Sequence, residues 1–318
     1  MSLFKKNLLF AAVICLVLVF TAACGNSKDS NSGGKSAKDE PKEQTLTDAK
    51  GKVTIPTHPK RIIAPYLEDA LVALGVKPVA QWAIGDTVQD YLQDQLSDVP
   101  KIEWNLPLEQ VMKDKPDLII FSSPGAIQEG QYDKYKKIAP VFVYKDATFA
   151  DWRKQLTTMG QILGKEDEAK QKISDYDKKA ADAKAKVKKA IGDDTVAAIW
   201  VSGGKYYLFE KDRFSAKVLY DDLGIKAPSL VENLPASQPQ WNPISLEKLS
   251  GLDADHIILV GPKGDPGFKA LDSSNVWQSL PAVKAGHVST FNDPSNWTVN
   301  GIIASEKTMD NAVSALTK

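Results

Sequence analysis

Two stretches decide how this chain folds: "LPLEQVMKDKPDLIIF", Leu106–Phe121, and "ISLEKLSGLDADHIIL", Ile244–Leu259. Each carries Leu-Glu, then seven residues, then Asp, one variable residue and Ile-Ile, so that Glu109 and Asp117 recur as Glu247 and Asp255. A short amphipathic segment running into a β-branched pair reads as a helix leading into a buried strand. Trp104 lies five residues before Glu109 and Trp241 six before Glu247, and "LVALGVKP" from Leu71 finds a looser echo in "LYDDLGIKAP" from Leu219. Repetition at this level implies two similar lobes.

Working outward, short β-branched runs alternate with helical stretches. Candidate strands are Arg61–Ala64, Pro78–Gln81, Leu118–Ser122, Val141–Tyr144, Val196–Val201, Tyr206–Glu210, His256–Val260 and His287–Phe291. This is an α/β pattern with largely parallel strands, resolving into two similar lobes. Between the two sets, Ala169, Ile173, Tyr176, Ala180, Ala183, Val187 and Ala190 put one apolar stripe on a helix otherwise covered in charge. The Lys178–Lys189 charge run reads as its solvated face. The resulting division is an N-terminal lobe over 45–164, an inter-lobe helix over 165–191 and a C-terminal lobe over 192–318. Loops following the carboxyl ends of the strands in both lobes should then face a shared cleft.

The 318 residues, 43% hydrophobic, suffice for a core in each lobe. The 40 basic and 40 acidic side chains exclude a nucleic-acid reading based on bulk charge. Both cysteines, Cys15 and Cys24, precede the body, so its work is done without sulfur. His58, His256 and His287 are scattered and argue against a zinc or manganese site. No GxSxG, HExxH or P-loop motif occurs, and the glycines after Ser202 signal a turn; an enzyme such as a secreted hydrolase is disfavoured.

The N-terminus has Lys5-Lys6, an apolar run from Leu8 to Phe20 and then Thr21-Ala22-Ala23-Cys24, which reads as a signal peptide over 1–23. The apolar run is shorter than the ~20 residues of a bilayer-spanning helix. "TAAC" resembles the lipobox of bacterial lipoproteins, with Thr21 departing from the usual aliphatic residue, and the resemblance makes Cys24 the lipidated new N-terminus. Gly25–Gln44, almost devoid of apolar side chains, reads as a disordered tether, so that 24–44 holds the body at the outer face of the cell membrane.

Together with "VTIPTHPKRIIAPYLEDALVALGVKPV", the repeated pair and the closing "WQSLPAVKAGHV", the body from Thr45 onward resembles the substrate-binding lipoproteins of ferric-siderophore and cobalamin ABC importers, most of all the iron-siderophore binders of Gram-positive bacteria. The resemblance implies two Rossmann-like lobes joined by one long, rigid inter-lobe helix, as in class III periplasmic binding proteins, with a shallow cleft and modest closure. It implies a monomer that binds a ferric siderophore and delivers it to permease subunits driven by a cytoplasmic ATPase. It also implies that Glu109 and Glu247 dock into basic pockets of the permease, and it requires no cofactor or directly bound metal.

Aromatic rings in loops suit a bulky chelate of mixed polarity. The cleft candidates are Tyr66, Trp82, Trp104, Trp200, Trp241 and Trp297, while Trp152 and Trp277 sit in helical patterns and are assigned to packing. Of the three arginines, Arg61, Arg153 and Arg213, the resemblance places Arg213 alone near ligand. One guanidinium cannot neutralise a trianion, so the expected chelate is weakly charged and of hydroxamate type. Lys205 and Lys263 keep ferric citrate open, and Tyr66, Tyr206 or Tyr207 as an axial ligand keeps haem open beside cobalamin.

Overall fold

The computed structural model describes residues 42–318. The signal segment, Cys24 and most of the expected tether lie outside the described residues. The body opens on an antiparallel hairpin, β1 Glu43–Asp48 and β2 Gly51–Pro56, in which Leu46 faces Val53 and Thr45 faces Thr54. Glu43 and Gln44, expected at the end of the tether, are therefore strand, and Gln44 donates to the Ile162 carbonyl at 3.0 Å. The period-two alternation of Thr-Leu-Thr and Val-Thr-Ile carries the hairpin, and buried Asp48 ties it to the first lobe by accepting from Val143 N–H at 2.9 Å.

The first lobe holds a parallel sheet of β3 Ile62–Ile63, β6 Leu118–Phe121 and β7 Val141–Val143, in the order β3-β6-β7. A parallel pair, β4 Gln81–Ala83 and β5 Lys101–Glu103, stands separately. The strand expected at Pro78–Gln81 begins later, since proline offers no ladder N–H, although Val79 N–H still reaches the Ile62 carbonyl at 2.9 Å. Ile62, Leu118, Ile120 and Phe142 join the main core, while Ile63, Ile119, Phe121 and Val141 join a second core on the other face. A sheet covered on both faces explains why these strands are continuously apolar.

The second lobe holds β8 Val196–Ser202, β9 Lys205–Leu208, β10 His256–Val260 and β11 Val288–Phe291 in the order β11-β10-β8-β9. All pairings are parallel except the β8–β9 hairpin, which turns through Gly203 and Gly204 at positive φ.

The repeated Asp performs one task twice. Asp117 accepts from Lys60 and Arg61 N–H at 2.7 and 2.9 Å, at the head of β3. Asp255 accepts from the N–H and hydroxyl of Thr195, both at 2.8 Å, at the head of β8. Each ties the incoming end of its lobe's first strand to the neighbour that the repeated Ile-Ile continues.

The long helix runs Glu166–Ile191, with Glu166, Asp167 and Glu168 in its first turn and Lys188 and Lys189 in its last, a distribution that suits the helix dipole. Its buried stripe ends at Ile191 rather than Ala190, because a true 3.6-residue period outruns strict alternation of four and three. Helix Ile302–Leu316 packs along it and also touches helix Glu68–Ala73 of the first lobe.

Candidate functional site

In the first lobe the chain leaves β3 through Tyr66, a non-glycine residue at φ +66, and enters helix Glu68–Ala73. Such a conformation costs on the order of 1–3 kcal/mol and persists only where its surroundings hold it. The Tyr66 ring packs on Trp82 of β4, centroids 4.8 Å apart. Beneath them Glu68 is fully buried; one carboxyl oxygen accepts from Trp82 N–H at 2.8 Å and the other has no hydrogen bond. Burial pushes the Glu68 carboxyl up from 4.5 to about 7, outweighing the pull of nearby backbone N–H groups, that of Trp82 first.

Asp69, next in sequence, turns the other way. It accepts from Ile303 and Ala304 N–H at 3.1 and 2.9 Å and from the Tyr91 hydroxyl at 3.0 Å, capping the C-terminal helix from the opposite lobe. Burial raises it from 3.8 to about 6 against those same donors. Gly301 presses directly on this carboxylate and leaves no room for a Cβ. Two further bonds cross the junction, Tyr91 N–H to the Ser295 hydroxyl at 3.0 Å and Asn300 to the Phe149 carbonyl at 2.9 Å.

The second lobe presents a larger aromatic group. Trp200 on β8 stands opposite Tyr207 on β9, their rings 5.0 Å apart, and Trp241 packs edge-on against both and against Phe209. The indole N–H of Trp200 is buried without a hydrogen-bond partner. Phe214, at φ +32, adds its ring to the edge of the group. It also lines a cavity of ≈ 160 Å³ shared with Trp152 and Asn300, which places it at the junction of the lobes.

Tyr66 and Trp82 are thus brought together in one lobe, and Trp200 and Trp241 in the other, all half-buried. Trp104 is 51% exposed, its N–H on the Ala83 carbonyl at 2.9 Å, beside exposed Ile84. Two expectations are corrected. Trp297 is 0% exposed, with its indole N–H on Asn311 at 3.2 Å and its carbonyl accepting from Ser215, so it is core. Arg213 is no free cation for a ligand: its side chain is 2% exposed and its guanidinium is taken by Glu210.

Glu109 and Glu247 are both exposed, each in the first turn of a short helix, Leu108–Asp114 and Leu246–Leu249. Glu68, Asp69, Glu210 and Phe214 were not foreseen as site residues. The spacing of three between Glu210 and Arg213 was a usable signal, while a buried Glu-Asp pair at a helix start reads from sequence as an ordinary acidic first turn. His256 and His287 stack with centroids 4.5 Å apart at the opposite, amino ends of β10 and β11. Among the described residues, no three of His, Cys, Asp or Glu are placed to hold a metal ion. No helix among them is long and apolar enough to cross a membrane.

Each lobe thus carries one aromatic group, and the two lobes are joined by the long helix and by hydrogen bonds that cross between them. A family model described as "Periplasmic binding protein" matches residues 67–294. The chain is 34% identical over 328 residues to the iron(3+)-hydroxamate-binding protein FhuD of Bacillus subtilis (strain 168), covering 99% of each chain. It is 30% identical over 292 residues to the iron(3+)-hydroxamate-binding protein YxeB of the same organism, covering 89% of this chain and 88% of that one. Among solved structures, the FhuD protein from S. pseudintermedius superposes with TM-score 0.72 at 28% identity, covering 87% of this chain and 99% of that one. With this match in sequence and in two-lobed α/β architecture, the chain belongs to the periplasmic binding protein family.

Proposed function

We propose that this chain is the extracytoplasmic, lipid-anchored receptor of an ABC importer, binding a ferric siderophore between its lobes and delivering it to the permease. The observation that carries the reading is the pair of aromatic walls, Tyr66–Trp82 and Trp200–Tyr207–Trp241, on two lobes held by one rigid helix. Such walls bury the organic shell of a chelate while leaving iron coordination to the chelator. The names of the two relatives support a hydroxamate ligand, and so does the absence of a free arginine at the walls. Trp104, exposed on the first lobe, adds a further contact. Cys24 supplies the anchor, and Glu109 and Glu247 the two points of permease docking.

The test is titration of the intrinsic tryptophan fluorescence of the soluble body with ferrichrome, ferrioxamine B, ferric citrate, a ferric triscatecholate, haem and cobalamin. Quenching by a ferric trihydroxamate at micromolar or lower concentration is expected. Quenching by haem or cobalamin alone would overturn the siderophore reading, and the strongest response to citrate would replace hydroxamate by carboxylate.

A further inference from the structure

Behind the second aromatic wall lies a cation that the protein has already cancelled. Arg213 Nε and Nη2 meet the two carboxylate oxygens of Glu210 at 2.5 and 3.0 Å, and the guanidinium lies 4.2 Å from the centre of the Trp241 ring. The Arg213 side chain is 2% exposed and that of Glu210 12%. A buried ion pair adds little net stability over apolar side chains of the same volume, so stability alone is a poor account of it. What the pair does achieve is zero charge one ring behind a binding wall.

The other arginines are committed elsewhere. Arg61 donates to the Asp114 and Lys115 carbonyls, and Arg153 pairs with Asp177 and Asp222. The first wall is backed by buried Glu68, and at the junction Asp90 of the first lobe feels the charge of Asp293 of the second. With Arg213 paired to Glu210, none of the three arginines is left as a free cation at the walls.

We propose that Glu210 sets the charge selectivity of the cleft, cancelling the charge of the Arg213 guanidinium behind Trp241 so that neutral and cationic ferric chelates are taken in preference to anionic ones. This rests on the ferric-chelate reading above. A unit charge uncovered ~8 Å from a bound chelate, at an effective dielectric near 20, changes affinity by roughly tenfold per ligand charge or more.

The experiment compares Kd for neutral ferrichrome, monocationic ferrioxamine B and a trianionic ferric triscatecholate in the wild-type protein, Glu210→Gln and Arg213→Gln at low ionic strength. Glu210→Gln should raise the affinity for the trianion relative to ferrichrome by at least tenfold, and Arg213→Gln should lower the same ratio by at least as much. High salt should shrink both shifts. A ratio unchanged within threefold in both variants overturns the assignment of Glu210 while leaving chelate binding intact. Binding of none of the three by the wild-type protein overturns the ferric-chelate reading itself, and this inference with it. Should either single variant fail to fold by circular dichroism, the double variant Glu210→Gln with Arg213→Gln replaces one uncharged unit by another and should keep the wild-type ratio. A shift beyond tenfold in the double variant overturns the proposal.

Discussion

Replacing Glu68 with glutamine removes one titration and almost no volume, which makes it the sharpest probe of the first lobe's wall. The folded protein holds the Glu68 proton up to a pKa of about 7, against 4.5 ordinarily. A group whose pKa is raised by folding contributes stability that is fully present below its unfolded value and is lost as pH rises through the folded one. The window is therefore pH 4.5 to about 7, and a difference of that size corresponds to about 3 kcal/mol. Above it, the ionised carboxylate is carried in the interior as a penalty. The amide oxygen of glutamine still accepts from Trp82 N–H, and no charge remains to be desolvated. Urea unfolding followed by tryptophan fluorescence at pH 5, 6, 7 and 8 should show wild-type stability falling more steeply with pH than that of Glu68→Gln. Between pH 5 and pH 8 the difference between the two proteins should move by about 2–3 kcal/mol in favour of the variant. Taking the difference cancels every other titrating group. A difference that stays constant within about 0.5 kcal/mol across that range would refute the argument that Glu68 is ionised only at a cost.

Other consequences are open to shorter tests. Gly301→Ala forces a methyl group against the Asp69 carboxylate and should destabilise the fold by about 2–3 kcal/mol, read as a lowered urea midpoint. Trp241→Ala and Trp297→Ala should separate wall from core: the first weakens chelate quenching in a folded protein, while the second costs about 3–5 kcal/mol of stability. Equal loss of stability in both would contradict the division. Glu109→Ala combined with Glu247→Ala should abolish uptake by whole cells and leave chelate Kd unchanged; a change in Kd would remove both residues from docking.

The architecture was legible in the sequence because it is written twice. Leu-Glu and Asp-x-Ile-Ile name the helix, the tie to the first strand and the buried strand in each lobe, and Asp117 and Asp255 carry that reading into hydrogen bonds. The hairpin β1–β2 was missed because its first residues, Glu43 and Gln44, continue the polar composition of the preceding stretch, and only their partners in β2 reveal a strand. The same limit governs the site. Tyr66, Trp82, Trp200 and Trp241 could be listed as aromatic residues near strand ends, but their pairing depends on which strands neighbour each other. Trp297 sits in a polar loop, "NDPSNWTVNG", yet its ring turns inward between Phe209 and Phe291. Arg213 looked free because its neutralising partner is a matter of rotamer and burial, which charge counting does not see.

Asp69 and the C-terminal helix also impose an order of events. The bonds from Asp69 to Ile303 and Ala304 close loops of 234 and 235 residues, nearly the whole body. As the chain emerges from its N-terminus, on the ribosome or across a membrane, the first lobe can pair its strands early, since Asp117 reaches back only 56 and 57 residues. The carboxylate of Asp69 must then wait, without its helix N–H partners, for the last helix to arrive. Loss of that terminal segment would leave a charge-bearing socket in a lobe otherwise complete, and a receptor cut short there should be cleared as an unfinished protein rather than persist as a weak one.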